Sequence, residues 1–423
     1  MEKNNFRKIA TITLFESAVQ WYCFLLYGTA AGTVFNKVFF SQTGNGTTAL
    51  ILSYMSFAIG YIGDRKGRKV TMYASLLMMG ISTSIIGILP PAASAGVGVV
   101  IVLQLMRLAQ CFGRGGTWGG GILMAYENVP ENKRSFYAAI PQIGLPIGFG
   151  LSSILIAVPT LLLPEDIFFT WGWRIPFLAA IILTLIVIRQ KGEMMETEDY
   201  KKAQAKLEAE EAEGKKHKVG FIPMVKGYWK TLLLGCGTRW VDGTFYNIFI
   251  VWILSYCINW LGMPLIQTYI ITIIACIFKI PFTLFGGWCA QKLGNTRTFV
   301  IGALASAVLS IPTLKVIELS KGNLAITIIG IVLGWSIAYN LIWAVISSLW
   351  SSYFETEVRY SGISFVYHVP SFLVAGMVPT ICTLLINYGK GDTIYVGIYS
   401  TVVALISAAC ALALKARHDR GEK

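Results

Sequence analysis

Residues 60–69 read "GYIGDRKGRK". Asp64, Arg65, Lys66, Arg68 and Lys69 put five charges into ten positions. The flanking stretches, "TTALILSYMSFAI" at 47–59 and "VTMYASLLMMGISTSIIGIL" at 70–89, are almost wholly apolar. A charged, glycine-bracketed turn between two apolar runs is the pattern of a chain that leaves lipid and re-enters it. An apolar run of about 20 residues crosses a bilayer as a helix, because a backbone in lipid must satisfy its own hydrogen bonds. The whole chain repeats this pattern. Of its 423 residues, 55% are hydrophobic and only 13% charged, against roughly a quarter charged in soluble domains. This predicts an all-α integral membrane protein.

Working outward, twelve spans are expected near 9–33, 47–62, 70–89, 97–124, 136–158, 173–190, 231–256, 266–289, 298–315, 324–350, 361–386 and 393–414. The stretch "QKGEMMETEDYKKAQAKLEAEEAEGKKHKVG" from Gln190 is polar and mixed in charge, and reads as a partly helical linker. The domains expected are an N-terminal six-helix bundle over 1–190, a cytoplasmic linker over 191–226 and a C-terminal six-helix bundle over 227–423. The net charge of +13 sits mainly in the 60–69 turn, the linker and the tail "KARHDRGEK". These fall on one side of the expected spans, as the positive-inside rule places cytoplasmic loops. Both termini are therefore expected in the cytoplasm. The same placement argues against nucleic-acid binding. "MEKNNFRKIATITLF" runs straight into a span, which suggests a first transmembrane helix rather than a removed signal. Eight cysteines lie in or beside apolar runs with no metal or CxxC spacing, so they read as small core residues.

The turn has an echo. "GWCAQKLGNTR" begins at Gly287, with Gln291 where Asp64 stands and Gly294 where Gly67 stands, at an offset of 227 residues. "YENVPENKRS" and "YFETEVRYS" pair Glu127 and Arg134 with Glu355 and Arg359 at offsets of 228 and 225. Two loops sharing one offset indicate an internal repeat, which in membrane chains is a transporter architecture with its site at the midplane. Asp64, Arg65, Gly67, Arg68, Glu127, Arg134 and Gln291 are accordingly gating candidates at the seam between the repeats. The glycines are expected to allow a tight turn and close helix approach.

The 60–69 pattern resembles the signature between the second and third spans of the major facilitator superfamily. "WYCFLLYGTAAGTVFNKVFF", "RLAQCFGRGGTWGGGILMAYENVPENKR", "WGWRIPFLAA" and "VRYSGISFVYH" narrow the resemblance to the metabolite:proton symporter family, and to its shikimate-type members. The resemblance covers nearly the whole chain. It implies proton-driven uptake of organic acids or zwitterions across a bacterial inner membrane, with the proton gradient as energy source and no cofactor. Three departures stand out. Gln20 and Cys23 in "QWYCF" replace acids of the family pattern, and Thr117 in "GGTWGG" replaces a glutamate. The second span, 47–62, covers only about 24 Å.

Ionisable residues inside spans are functional candidates by default. Glu16, Gln20 and Cys23 share one face of the first span, and Glu16 can stand in for the missing acids or pair with a loop cation. Arg107, Gln110, Arg114 and Thr117 form a polar stripe in the fourth, suited to a carboxylate through the arginine fork; Arg114 can also pair with Glu16 or Asp242. Arg239, Asp242 and Tyr246 share a face in the seventh, either as a self-neutralising pair or as a proton-sensitive one. Lys279, two residues before Pro281, either binds a carboxylate oxygen or snorkels to the surface. His368 can titrate near neutral pH or be structural. Trp21, Tyr22, Tyr246, Trp343 and Tyr367 can line a ring-shaped ligand.

The substrate-binding candidates are thus Arg107, Gln110, Arg114, Thr117, Arg239, Tyr246, Gln20 and Tyr22; Asp242, Glu16 and His368 are the proton-coupling candidates. No Walker loop, dinucleotide turn, zinc motif or nucleophile elbow occurs, so no enzyme and no metal are expected. The expected function is import of a small organic anion, shikimate-like or another carboxylate, with protons, by a monomer in lipid. Two alternatives stay open: an uncoupled facilitator or anion exchanger, and a non-transporting receptor or relic.

Overall fold

The computed structural model describes residues 3–30, 34–35, 38–39, 68–191, 205, 221–371 and 376–422. Among the described residues the regular structure is entirely helical. The principal helices are α1 (Lys3–Ala30), α2 (Arg68–Ile88), α3 (Val97–Glu127), α4 (Arg134–Ala139), α5 (Gly144–Leu162) and α6 (Arg174–Lys191). They continue as α7 (Phe221–Asn247), α8 (Leu265–Leu293), α9 (Asn295–Leu319), α10 (Asn340–Ser351), α11 (Arg359–His368), α12 (Val378–Tyr388) and α13 (Ile394–Asp419). Nine segments among the described residues are long and apolar enough to cross a membrane. α3, with 31 residues, is also long enough, and carries Arg107 and Arg114.

The short second span, the turn residues Asp64, Arg65 and Gly67, and residues 192–204 and 206–220 of the linker lie outside the described residues. Arg68 opens α2, but its side chain lies outside them too.

Short connections make successive long helices antiparallel. Ile9 and Ile12 of α1, Met72 of α2 and Met124 of α3 cluster together, and the Tyr353 ring meets the His418 ring of α13 at 5.2 Å. Both chain ends therefore lie on one face, called here the terminal face. The echo turn lies there as well. Gly294, between α8 and α9, has φ +90°, a conformation that L side chains adopt only under strain. Gly287, about two turns earlier in the helix body, lets α8 approach α4: a Cβ there would sit 2.6 Å from the Ala139 Cβ. The two roles expected of these glycines, turn and close approach, are both present.

Two stretches of π-helix interrupt the C-terminal helices. Ile248–Trp252 follows α7, and Val332–Ala338 joins Leu324–Ile331 to α10. Such insertions change the facing of downstream side chains and occur often at functional sites. Here they flank Tyr246 and hold Trp335.

Candidate functional site

α1, α3, α7, α8, α10 and α11 converge on the centre of the molecule. The N-terminal wall comes from α1 and α3. Trp21 of α1 meets Tyr246 at 6.0 Å and Trp343 at 5.8 Å between ring centroids. One turn on, the Phe24 ring carries both arginines of α3, with Arg107 and Arg114 each 4.1 Å from its centroid. Arg107 also donates to the Phe24 carbonyl and to Gln110 Oε1, both at 3.0 Å. Arg114 lies 4.3 Å from the Trp21 ring centre and donates through Nη2 to the Tyr367 hydroxyl at 2.6 Å. Neither arginine has a carboxylate partner among the described residues. The expected pairing of Arg114 with Glu16 or Asp242 is absent: Glu16 packs against Gly121 of α3, and Asp242 is taken by Arg239.

The predicted stripe on α3 divides. Gln110 Nε2 donates to Thr83 Oγ1 at 2.7 Å and to the Cys23 carbonyl at 3.3 Å, while Thr117 Oγ1 donates to the Gly113 carbonyl at 3.2 Å. Both are wholly buried between helices; Gln110 meets the site only by accepting from Arg107, and Thr117 bonds within its own helix. At about 100° per residue, Arg114 lies about 20° from Arg107 around the helix, but Gln110 and Thr117 lie about 60° and 80° away. Tyr22 is a second correction. Its hydroxyl donates to the Pro176 carbonyl at 2.6 Å, so it fastens α1 to α6, on the far side from Trp21. Gln20 is fully buried, and its amide has no hydrogen-bond partner among the described residues.

The C-terminal wall is a chain of contacts. On α7, Arg239 forms a buried ion pair with Asp242, the self-neutralising arrangement that their spacing allowed. Asp242 Oδ1 also accepts from the Tyr339 hydroxyl. The Arg239 guanidinium sits 4.3 Å from the Tyr367 ring centre. Tyr246 is half-buried beside Trp21. His368 is buried with its ring 4.9 Å from that of Tyr367. Lys279 does not snorkel. It is wholly buried, donates to Asn340 Oδ1 at 2.7 Å, and lies 4.5 Å from the Tyr339 ring centre and 4.8 Å from that of Trp335. Its place explains this: Lys279 is the midpoint of the 29-residue α8, about 21 Å of helix from either end.

Several buried donors here lack acceptors. The indole N–H groups of Trp21, Trp118 and Trp335, and Arg114 Nε, have no hydrogen-bond partner among the described residues. Most buried polar groups are paired, so these unpaired donors stand out. The walls are also lopsided. Phe24, Tyr27, Arg107, Arg114 and Tyr246 are partly exposed, and no described residue lies within 4 Å of where a Gly28 Cβ would stand. Trp118, Trp343, Trp350 and Tyr360 are fully buried.

Toward the terminal face the walls lock together. Trp118 stacks on Tyr367 at 4.0 Å, and the Tyr360 hydroxyl donates to the Gly116 carbonyl. Trp343 Nε1 donates to the Gln142 carbonyl at 2.9 Å, and Gln142 Nε2 returns a bond to the Trp343 carbonyl at 3.2 Å. Glu127 and Arg359 form a buried ion pair at 3.0 Å. Of the gating candidates, Glu127 is thus at the seam, partnered across it. Arg134 lies instead 3.8 Å from Glu131 and over the Tyr126 ring. Gln291 is exposed and its side chain makes no hydrogen bond among the described residues; Asp64, Arg65, Gly67 and the Arg68 side chain lie outside them. Tyr339, Asn340, Trp118 and Trp335 belong to the site but were not picked from sequence. A lone asparagine in the apolar run "SIAYNLIWAV" was the available signal for one of them.

Residues 40–379 match the Major Facilitator Superfamily. The chain belongs to that superfamily. It is 32% identical over 435 residues to the inner membrane metabolite transport protein YhjE of Escherichia coli K12, covering 98% of this chain and 96% of that one. It is 30% identical over 428 residues to the shikimate transporter of the same organism, covering 97% and 94%. The sequence motifs therefore pointed to the right relatives, which are transport proteins and not enzymes. Among solved structures, the superfamily proton:xylose symporter XylE bound to 6-bromo-6-deoxy-D-glucose superposes with a TM-score of 0.77 at 15% identity, covering 97% of this chain and 95% of that one. At that identity the likeness speaks for the fold: the all-helical membrane architecture expected from sequence is the superfamily's.

Proposed function

We propose that this superfamily member imports a small organic carboxylate by alternating access, with protons moving in the same direction. The observation that carries the reading is the charge at the centre. Arg107, Arg114 and Lys279 have no carboxylate partner among the described residues, and unpaired indole and guanidinium donors lie beside them. Leaving cations and donors unsatisfied away from water is costly, and an anionic, oxygen-rich ligand relieves the cost. The name of the shikimate transporter relative supports a hydroxylated ring acid as one such ligand.

In this reading, residues 1–190 and 227–423 rock about the site, with 191–226 as the cytoplasmic linker. The terminal face is cytoplasmic, the protein is a monomer of a bacterial inner membrane, and its energy comes from the proton gradient without a cofactor. Asp242 is the proton carrier: protonation would release Arg239 toward the anion. The test is uptake of labelled shikimate into proteoliposomes with and without an inward proton gradient. Accumulation that collapses with the gradient, and an Asp242→Asn variant that exchanges but cannot accumulate, are the expected results.

An uncoupled facilitator or exchanger is the second reading. Gln20, Cys23 and Thr117 stand where the family has acids, and Asp242 is already bound by two partners. Gradient-independent equilibration would favour it. No flux for any carboxylate would leave a receptor or relic.

A further inference from the structure

The arginines of α3 supply one anchor for a carboxylate. The opposite wall holds a cation of a different kind. Lys279 is fully buried at the middle of α8, and its only hydrogen-bond acceptor among the described residues is the neutral Asn340 Oδ1. An ammonium has three donors, so two remain. Asn340 cannot serve a ligand, because its Nδ2 already donates to the Lys279 carbonyl at 2.8 Å and to Thr283 Oγ1 at 2.9 Å. Thr283 Oγ1 donates to the same carbonyl at 2.8 Å. These bonds fix the lysine stem and aim its head between the Tyr339 and Trp335 rings. Aromatic faces attract a cation but do not replace a counter-ion in a dry interior. The acid nearest in the network, Asp242, is committed to Arg239 and to the Tyr339 hydroxyl. The thiol of Cys276, one turn back on α8, is the other titratable group facing Lys279.

Trp335 supplies the second observation. It is 1% exposed, and its indole N–H has no partner among the described residues. It is held beside Lys279 by the π-helical stretch, where Ser336 donates to the Ala275 carbonyl of α8 at 2.8 Å. Its ring meets Phe149 of α5 at 6.4 Å, so this pair of donors stands at the seam, facing the N-terminal wall.

We propose that Lys279 and the Trp335 indole N–H form a second acceptor subsite, which takes a second carboxylate or a hydroxyl at the far end of the transported acid. The inference rests on the carboxylate reading above and narrows it to two-headed ligands. A ligand of that class would touch α3 with one end, and α8 and the π-helical stretch before α10 with the other. It would thereby tie together the two walls whose relative movement is transport.

The test is binding to the purified, full-length protein in detergent by three acids: cyclohexanecarboxylate with one head, shikimate with hydroxyls opposite its carboxylate, and cyclohexane-1,4-dicarboxylate. Wild type should bind one or both of the two-headed acids at least about tenfold more tightly than cyclohexanecarboxylate, and which one binds identifies the second group. Lys279→Met should erase that preference, and Trp335→Phe should reduce it by a smaller factor with the fold undisturbed. Equal wild-type affinity for all three acids, or a Trp335→Phe variant that keeps the full preference, would overturn the subsite while leaving the carboxylate reading in place. If none of the three binds while Arg114→Lys is equally inert, the carboxylate reading itself has failed.

Discussion

Two regions of the seam hold charged and polar groups in opposite ways. At the terminal face every named bond has a partner on the other wall: Glu127 with Arg359, Gln142 with Trp343 in both directions, and Tyr360 with the Gly116 carbonyl. At the centre, Arg107, Arg114 and Lys279 meet only neutral acceptors, and Arg114 Nε and the Trp21, Trp118 and Trp335 indole N–H groups meet none among the described residues. The same interface is thus paired where it closes and only partly satisfied at the proposed site. Paired groups define a state of the molecule. Unpaired donors define what the molecule is waiting for.

The comparison breaks first at the lock. Arg359→Met leaves Glu127 buried without its cross-seam cation, and breaking a buried ion pair costs about 3–5 kcal/mol. A large drop in thermal stability in detergent is expected, partly recovered in the Arg359→Met, Glu127→Gln double variant. Additive losses in that pair would mean that the ion pair does not hold the seam.

The centre answers through affinity rather than stability. Arg114 spans the seam to Tyr367 and keeps an unpaired Nε, whereas the Arg107 bonds recorded stay within α1 and α3. Arg114→Lys discards the bidentate fork and should weaken shikimate binding by about a hundredfold, a loss of about 2.7 kcal/mol. Arg107→Lys should cost about tenfold or less. The reverse order would show that the stripe, and not the seam contact, selects the anion.

How much of this could be read from sequence differs between the same regions. Charges inside spans named Arg107, Arg114, Arg239, Asp242 and Lys279 directly, because lipid makes each one conspicuous. The glycine echo named the positions of close approach at Gly287 and of the turn at Gly294. Partnership was not legible. Glu127 and Arg359 are 232 residues apart, and the repeat suggested Arg134 as the neighbour of Glu127 because spacing reveals only neighbours along a chain. Facing was half legible. A period of 3.6 groups Arg107 with Arg114, but it also admits Gln110 and Thr117, and the turn of 60° to 80° that removes them matters only once α1 and α2 are in place. Tyr22 and Trp21, adjacent in sequence, point about 100° apart, and nothing in their residue types says which one faces the seam.

That last pair supplies a smaller test. Tyr22→Phe removes a hydrogen bond to the Pro176 carbonyl and nothing at the site, so it should lower stability by about 1 kcal/mol and leave uptake affinity as it was. A change in affinity would return Tyr22 to the ligand.

The smallest effect is expected on the face opposite the chain ends. There Lys315 of α9 donates to Asp392 at 2.6 Å, and Asp392 accepts from the Ile394 N–H at 2.7 Å at the start of α13. The Lys315 bond and the Ile394 bond hold the Asp392 carboxyl below its ordinary value of 3.8. A depressed carboxylate stabilises the fold above its unfolded value and loses that contribution as pH falls through its folded value. Asp392→Asn should therefore lower the melting temperature slightly and by a constant amount between about pH 5 and 8, and flatten its decline in stronger acid. Unlike the Glu127–Arg359 pair, this cluster ties α9 to α13 on one side of the seam. If Asp392→Asn altered transport at neutral pH, the cluster would be a second gate, and the contrast between a locked face and an open one would have to be redrawn with polar locks on both.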